Sequence, residues 1–216
     1  MAKIDVLIPV YNRQDFLKEC LESIEWQTYT DWRVIFYNDG STDLSEEIID
    51  EFRIRHPNTV VINSNVNNGV GHARNRLLRA CDAPYSAWMD SDDISHPTRF
   101  DAQLSLLENS MHDLVQTEMY FFTFPSKWNQ TRAKHTVNVS RYTNRDGLNN
   151  NMNFATGMFK SGLKKFKFPE KRVREDIEWM ALLIDNAIDF GLVQQPLYSC
   201  RRHENRLTML NSKKKL

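Results

Sequence analysis

The chain has 216 residues, 41% of them apolar and 26% charged, with 28 Lys and Arg balancing 28 Asp and Glu. That length can bury a substantial core and is most simply one domain. No apolar stretch approaches the roughly 20 residues a membrane-spanning helix needs. The three cysteines, Cys20, Cys81 and Cys200, are odd in number and far apart, which suggests neither a disulfide framework nor a zinc site. With no signal-like segment after Met1, the expected compartment is the cytoplasm. Neutrality hides an asymmetry: residues 1–125 carry 10 basic against 20 acidic side chains, 126–174 carry 12 against 2, and 175–216 carry 6 of each. An acidic half beside a basic segment suggests two tasks. The basic run is either a solvated face or a surface for an anionic partner such as nucleic acid, a phosphorylated glycan or a lipid headgroup.

In chain order, Ile4–Val10 is apolar and β-branched, as a buried parallel strand should be. Phe16, Leu17, Cys20, Leu21 and Ile24 then follow helical spacing. A second strand, Trp32–Tyr37, runs into the turn sequence Asn38-Asp39-Gly40-Ser41, and Leu44, Ile48, Ile49 and Phe52 mark a second helix. Thr59–Ile62 reads as a third strand, and Ala73, Leu77, Leu78 and Ala80 as a third helix. Tyr85–Met89 is the fourth strand. Strands separated by helices of this length predict an α/β fold with a mostly parallel central sheet flanked by helices and joined by right-handed crossovers. In such sheets ligands bind outside the carboxyl ends of the strands. The polar clusters Tyr11-Asn12, Asn38-Asp39, Asn67–Gly71 and Asp90–Asp93 all fall at such ends.

The last cluster is the most informative. Asp90, Asp92 and Asp93 crowd into four positions, and like charges this close need a cation or hydrogen-bond donors. A hard divalent cation prefers oxygen ligands, with Mg²⁺ usually held by one or two carboxylates plus substrate phosphates. An isolated Asp-x-Asp-Asp is more often a surface turn, so the surrounding motifs have to decide. Ile-Pro-Val-Tyr-Asn (8–12), Asn-Asp-Gly-Ser-Thr-Asp (38–43), Asn-Asn-Gly-Val-Gly-His-Ala-Arg-Asn (67–75) and Met-Asp-Ser-Asp-Asp (89–93) stand in that order. Arg174–Trp179 and Tyr198–His203 extend the series. Together they closely resemble the family-2 inverting glycosyltransferases of the GT-A (Rossmann-like) nucleotide-diphospho-sugar transferase fold. Asn38 departs from the Asp that the family usually has there.

The resemblance implies a nucleotide-sugar-binding half at 1–110 and an acceptor-binding, catalytic half at 111–216 of the same domain. It implies a donor site of Pro9, Tyr11, Asn12, Asp39, Asn68, Arg74, Asp90, Ser91, Asp92 and Arg201. In that site Tyr11 lies against a nucleobase, Asp39 accepts from a uracil imide, and Arg74 and Arg201 face the phosphates. Asp92, Asp93 and His203 would hold Mn²⁺ or Mg²⁺. Asp176 would be the base that takes the acceptor's proton, with Glu175 orienting the site. A glycine-containing loop entering a helix, as at 67–75, also favours anions on its own account. Several residues have blander roles open to them: Asp39 as a turn former, Glu175 and Asp176 as first-turn dipole partners, and Trp179 as core. Phe154–Met158, with Gly157, is expected to line the acceptor pocket, and Ile177, Met180, Ala181 and Ile184 to form the apolar face of the last helix.

The function expected is therefore metal-dependent, inverting transfer of a sugar, most simply from a UDP-sugar, to an acceptor hydroxyl. A nucleotidyltransferase would want a Lys/Arg-rich glycine loop at the first strand, where Tyr11-Asn12-Arg13 stands instead. A non-catalytic sugar-nucleotide-binding protein would be expected to have lost one of Asp92, Asp93, Asp176 or His203. The basic segment and Lys213-Lys214-Lys215 suggest a polyanionic acceptor or peripheral membrane contact.

Overall fold

The computed structural model describes residues 2–123, 133–135, 154–171 and 174–204; much of the basic segment and the Lys213–Lys215 tail lie outside them. Four strands open the chain: β1 (Ile4–Val10), β2 (Trp32–Asp39), β3 (Val60–Ser64) and β4 (Tyr85–Trp88). They pair in parallel in the order β3-β2-β1-β4, joined by helices α1 (Leu17–Glu25), α2 (Ser45–Arg55) and α3 (Val70–Ala80). Strand β3 runs on to Ser64 instead of ending at Ile62, because Asn63 and Ser64 pair with Asn38 and Asp39 of β2. The ladder thus carries a polar strand end that hydrophobic pattern alone would leave out.

Beyond β4 the chain forms β5 (Ile94–Ser95), α4 (Arg99–Glu108), β6 (Leu114–Thr123), β7 (Ala133–His135), β8 (Met158–Lys160), α5 (Glu175–Asp185) and β9 (Phe190–Arg202). Here the sheet is mixed. Strand β8 lies antiparallel between β4 and β6, β9 runs parallel to β6, and β5 and β7 add antiparallel partners. Parallel order is thus a property of the first four strands and of the β6–β9 pair. A parallel neighbour needs a long crossover, which α1, α2 and α3 supply in the first half.

Both faces of the sheet are covered, so the inner strands are apolar on both sides. On one face Val6, Ile8, Val34 and Phe36 pack with Leu17, Leu21, Ile49, Phe52 and Phe100. On the other, Leu7, Ile35 and Tyr37 pack with Leu77, Leu78, Trp88, Phe154, Phe159 and Trp179. Trp179 is 0% exposed; it stacks on Phe168 at 4.8 Å between ring centroids and donates its indole N–H to the Phe166 carbonyl at 2.8 Å. That docking turns α5 so that Glu175, Trp179, Met180 and Leu183 are its buried residues. Ile177, Ala181 and Ile184 are only partly buried, so the expected apolar face is rotated. Phe154 and Met158 are core residues too, 4% and 0% exposed; Phe154 sits among Trp88, Phe168 and Trp179. The three cysteines are buried and unbridged. No helix among the described residues is long and apolar enough to cross a membrane.

The first turn of α3 approaches the 169–171 segment closely. A Cβ on Gly71 would lie 2.3 Å from the Pro169 carbonyl oxygen and 3.1 Å from that of Lys171. Gly71→Ala is therefore expected to destabilise the fold by about 1–3 kcal/mol through overpacking against backbone, in spite of alanine's better helix propensity. Thermal melts check this, and an unchanged midpoint would mean that the 169–171 segment yields without cost.

Candidate active site

The loops at the carboxyl ends of β1, β2 and β3 are tied together by their own polar residues. Asn12 adopts a left-handed backbone with φ of 50°, which reverses the chain after Tyr11. Its N–H donates to Ser41 Oγ at 3.1 Å and its Oδ1 accepts from the Thr42 N–H at 2.8 Å. The Arg13 N–H donates to Ser45 Oγ at 2.8 Å. Asp39 is 3% exposed, and its two carboxylate oxygens accept from the N–H groups of Asn68 and Gly69, each at 2.8 Å. The Asn68 amide donates to Ser64 Oγ and to the Val66 carbonyl, at 2.9 and 3.0 Å. Asp39 and Asn68 therefore organise the loop that leads into α3. Gly40, with φ of +71°, is required there, since a Cβ would meet the Val66 carbonyl carbon at 2.7 Å. Tyr11 is 39% exposed and Pro9 is half-buried on the same edge.

The acidic loop after β4 brings one carboxylate oxygen each of Asp90, Asp92 and Asp93 within 4.8 Å of one another. Its backbone is pinned from two sides. The Asp90 N–H donates to the Tyr198 hydroxyl at 3.2 Å, and the Arg201 N–H donates to Asp93 Oδ1 at 2.8 Å. Arg201 donates its Nε–H to the Asp92 carbonyl at 2.8 Å and its Nη2 to Glu19. Its guanidinium also lies over Phe122, 4.6 Å from the ring centroid. Arg201 is 0% exposed and braces the loop from within the fold. Ser91 is likewise 5% exposed.

The guanidiniums of Arg74 and Arg13 reach these carboxylates, and that of Arg99 is buried at the end of β4. Arg74 Nη2 is 3.5 Å from Asp90 Oδ1, and its Nη1 pairs with Glu175 at the start of α5. Arg74 is thus a buried brace between the acidic loop and the last helix, with its guanidinium over Phe154 at 4.3 Å. Arg13 Nε is 3.3 Å from Asp92 Oδ2. Arg99, 0% exposed, donates to the Trp88 carbonyl at 2.8 Å and to Gln103 Oε1 at 2.9 Å. Burial brings its pKa down to about 10. Burial, reinforced by Asp93 and then Asp90, pushes the Tyr198 hydroxyl well above its ordinary value, so Tyr198 stays neutral beneath the loop.

His203 completes the cluster. Its Nε2 is 3.0 Å from Asp92 Oδ2, its side chain is 6% exposed, and its ring packs on Phe16 at 4.3 Å. Its Nδ1 is buried with no hydrogen-bond partner among the described residues. Three clustered carboxylates and an imidazole form an oxygen-rich donor set that suits a hard divalent cation, so the residues fit such an ion.

Glu175 and Asp176 open α5 after Arg174, which is left-handed at φ of 62°. Glu175 is 5% exposed; burial raises its pKa, Arg74 works against that, and Asp176 adds to it. Asp176 is half-buried, with Oδ1 accepting its neighbour Ile177's N–H at 2.8 Å. Motif reading assigned no role to Arg13, Arg99 or Tyr198. Arg13 had a signal, since it directly follows Tyr11-Asn12, and Tyr198 opens the Tyr198–His203 motif; Arg99 had none, because its contacts are tertiary.

A parallel half with polar strand ends, an acidic triad after β4 and a returning strand that pins it define a GT-A-type fold, shared with the solved structures below. The chain matches the family model for glycosyl transferase family 2 over residues 5–167 and belongs to that family. It is 26% identical to the uncharacterized glycosyltransferase YibD of Escherichia coli over 97% of this chain and 64% of that protein. TarS of S. aureus in complex with UDP-GlcNAc superposes with a TM-score of 0.77 at 21% identity, covering 95% of this chain and 60% of that one. Glucosyl-3-phosphoglycerate synthase from Mycobacterium tuberculosis, in complex with Mn²⁺, UDP and phosphoglyceric acid, superposes at 0.68 and 18% identity, covering 99% and 75%. The chain thus spans somewhat less than two thirds of YibD and of the TarS 1–349 chain, and 37% of the longer TarS chain.

Proposed function

We propose that this chain transfers a sugar, with inversion, from a UDP-sugar to an acceptor hydroxyl, using a divalent cation held by Asp92, Asp93 and His203. The observation that carries the reading is the convergence of the acidic triad, His203 and the Arg74–Glu175 brace at the strand ends, with Asp176 one residue further along α5. The UDP-sugar and the Mn²⁺–UDP bound by the two structural neighbours support it.

In this reading Tyr11, the exposed aromatic after β1, stacks on the base, while Asp39 holds the loop of Asn68 and Gly69 in place beside it. A bound Mn²⁺ or Mg²⁺ would supply Lewis-acid neutralisation of the departing diphosphate. Asp176 takes the proton from the acceptor oxygen as that oxygen attacks the anomeric carbon from the side opposite the diphosphate. Glu175 stays in its pair with Arg74 and so keeps the first turn of α5 in register with the acidic loop. The acceptor is read as anionic. Lys164, Lys165, Lys167, Lys171 and Arg174, exposed basic residues among those described in 164–174, support this, as does the phosphoglyceric acid bound to one neighbour.

Calorimetric titration with UDP tests the donor half. UDP is expected to bind at least tenfold more tightly with Mn²⁺ than with EDTA, and a panel of UDP-sugars should then show hydrolysis or transfer. Absence of nucleotide binding with either additive would overturn the reading. The acceptor half predicts that transfer to phosphate-bearing acceptors weakens as ionic strength rises, because exposed charges are screened.

A further inference from the structure

We propose that Arg13 is a built-in counter-ion for Asp92 that yields to the diphosphate of the donor, so that cation and nucleotide load together; this rests on the donor reading above. Asp92 Oδ2 lies 3.3 Å from Arg13 Nε and 3.0 Å from His203 Nε2, so an oxygen that a cation would need is held by protein groups. Of the four guanidiniums described around the loop, Arg13 is the least enclosed. Its side chain is 13% exposed against 6% for Arg74 and 0% for Arg201, and Arg99 is 0% exposed as a residue. Arg74 is fixed by Glu175 and two rings, Arg201 by Glu19 and a carbonyl, and Arg99 by Gln103 and a carbonyl. Arg13 instead folds back on its own loop, where Nη1 donates to the Tyr11 and Asn12 carbonyls at 3.1 and 3.0 Å. Those are neutral contacts at an exposed strand end.

Arg13 Nε opposes a cation arriving at Asp92 in the absence of nucleotide. A diphosphate reverses the balance, because a guanidinium is a planar, bidentate partner for phosphate oxygens. The Arg13 backbone is fixed by Ser45, so the exchange needs only a side-chain rotation from Asp92 towards the space beside Tyr11. The β1 loop and the acidic loop are thereby coupled through one side chain. Such a coupling is reciprocal: the factor by which UDP tightens the cation equals the factor by which the cation tightens UDP.

The test is Mn²⁺ binding, followed by electron paramagnetic resonance or calorimetry with and without UDP, in the wild-type chain, Arg13→Gln and Arg13→Lys. Arg13→Gln is expected to bind Mn²⁺ alone about tenfold more tightly, about 1.4 kcal/mol. The tightening of Mn²⁺ by UDP should shrink by a similar factor. Arg13→Lys, which keeps the charge, should bind Mn²⁺ alone as the wild type does. Equal Mn²⁺ affinities for wild type and Arg13→Gln without nucleotide, or an undiminished UDP effect in Arg13→Gln, would overturn the proposal and leave the donor reading intact. Absence of Mn²⁺ binding in all three chains even with UDP would overturn both.

Discussion

Asp176→Asn is expected to lower kcat by about 10²- to 10⁴-fold, the usual range for a lost general base, while UDP affinity in the presence of Mn²⁺ stays within twofold of wild type. Asparagine keeps the side-chain shape and an oxygen that can accept from the Ile177 N–H, as Asp176 Oδ1 does at 2.8 Å. The first turn of α5 should therefore survive, and only the capacity to take a proton is removed. The donor-side residues lie on loops after β1, β2, β3 and β4, none of which contacts Asp176 through a described hydrogen bond, so nucleotide binding is the internal control. An Asp176→Asn enzyme with wild-type kcat would sink the assignment of the base. A parallel loss of UDP binding would show that the residue acts through the donor site instead.

Arg74→Met is expected to cost about 3–5 kcal/mol of stability, the range found when one partner of a buried pair is removed. In a chain of this length that corresponds to a melting midpoint lower by about 10 °C. The partner left behind, Glu175, has a side chain only 7% exposed, and its pKa is already raised by burial. Because the folded state favours the neutral form, charge on Glu175 costs stability. The cost is absent below the ordinary glutamate range and complete above the raised folded value. Loss of Arg74 raises that value further. The gap between Arg74→Met and wild type should therefore be widest at neutral pH and narrow as pH falls through the glutamate range. Arg74→Met/Glu175→Gln should recover part of the loss, since a neutral amide needs no cation. A gap that stays constant with pH, with no recovery in the double variant, would mean that Arg74 stabilises through Phe154 and Phe168 alone.

These variants bear on how much can be read without coordinates. The four parallel strands, their helices and the polar clusters at their ends follow from hydrophobic periodicity, because strands buried on both faces leave continuous apolar runs. The second half was far less legible. Strand β6 buries Gln116, Thr117 and Glu118 and carries a register irregularity around Glu118, so neither alternation nor an apolar run marks it. Strand β8 is three residues long, too short for any period to appear. The face of α5 was misjudged because Trp179, whose stacking partner Phe168 lies eleven positions earlier, decides the helix rotation.

Within the site, the crowding of Asp90, Asp92 and Asp93 is legible in the residues themselves, and it is the resemblance of the later motifs to the family that adds His203 and the Glu175-Asp176 pair to them. Charge density in four consecutive positions demands compensation, and that demand is visible in a string of letters. What compensates it was decided by tertiary structure alone. Arg13, Arg74 and the Arg201 N–H converge on the loop's carboxylates from three different parts of the chain. Arg201 is a buried brace on the Asp92 carbonyl, and Arg13, given no role by its motif, is the neighbour of Asp92. Local sequence specifies which charges are crowded together, but which opposite charges reach them depends on distances set by the packing of the whole sheet.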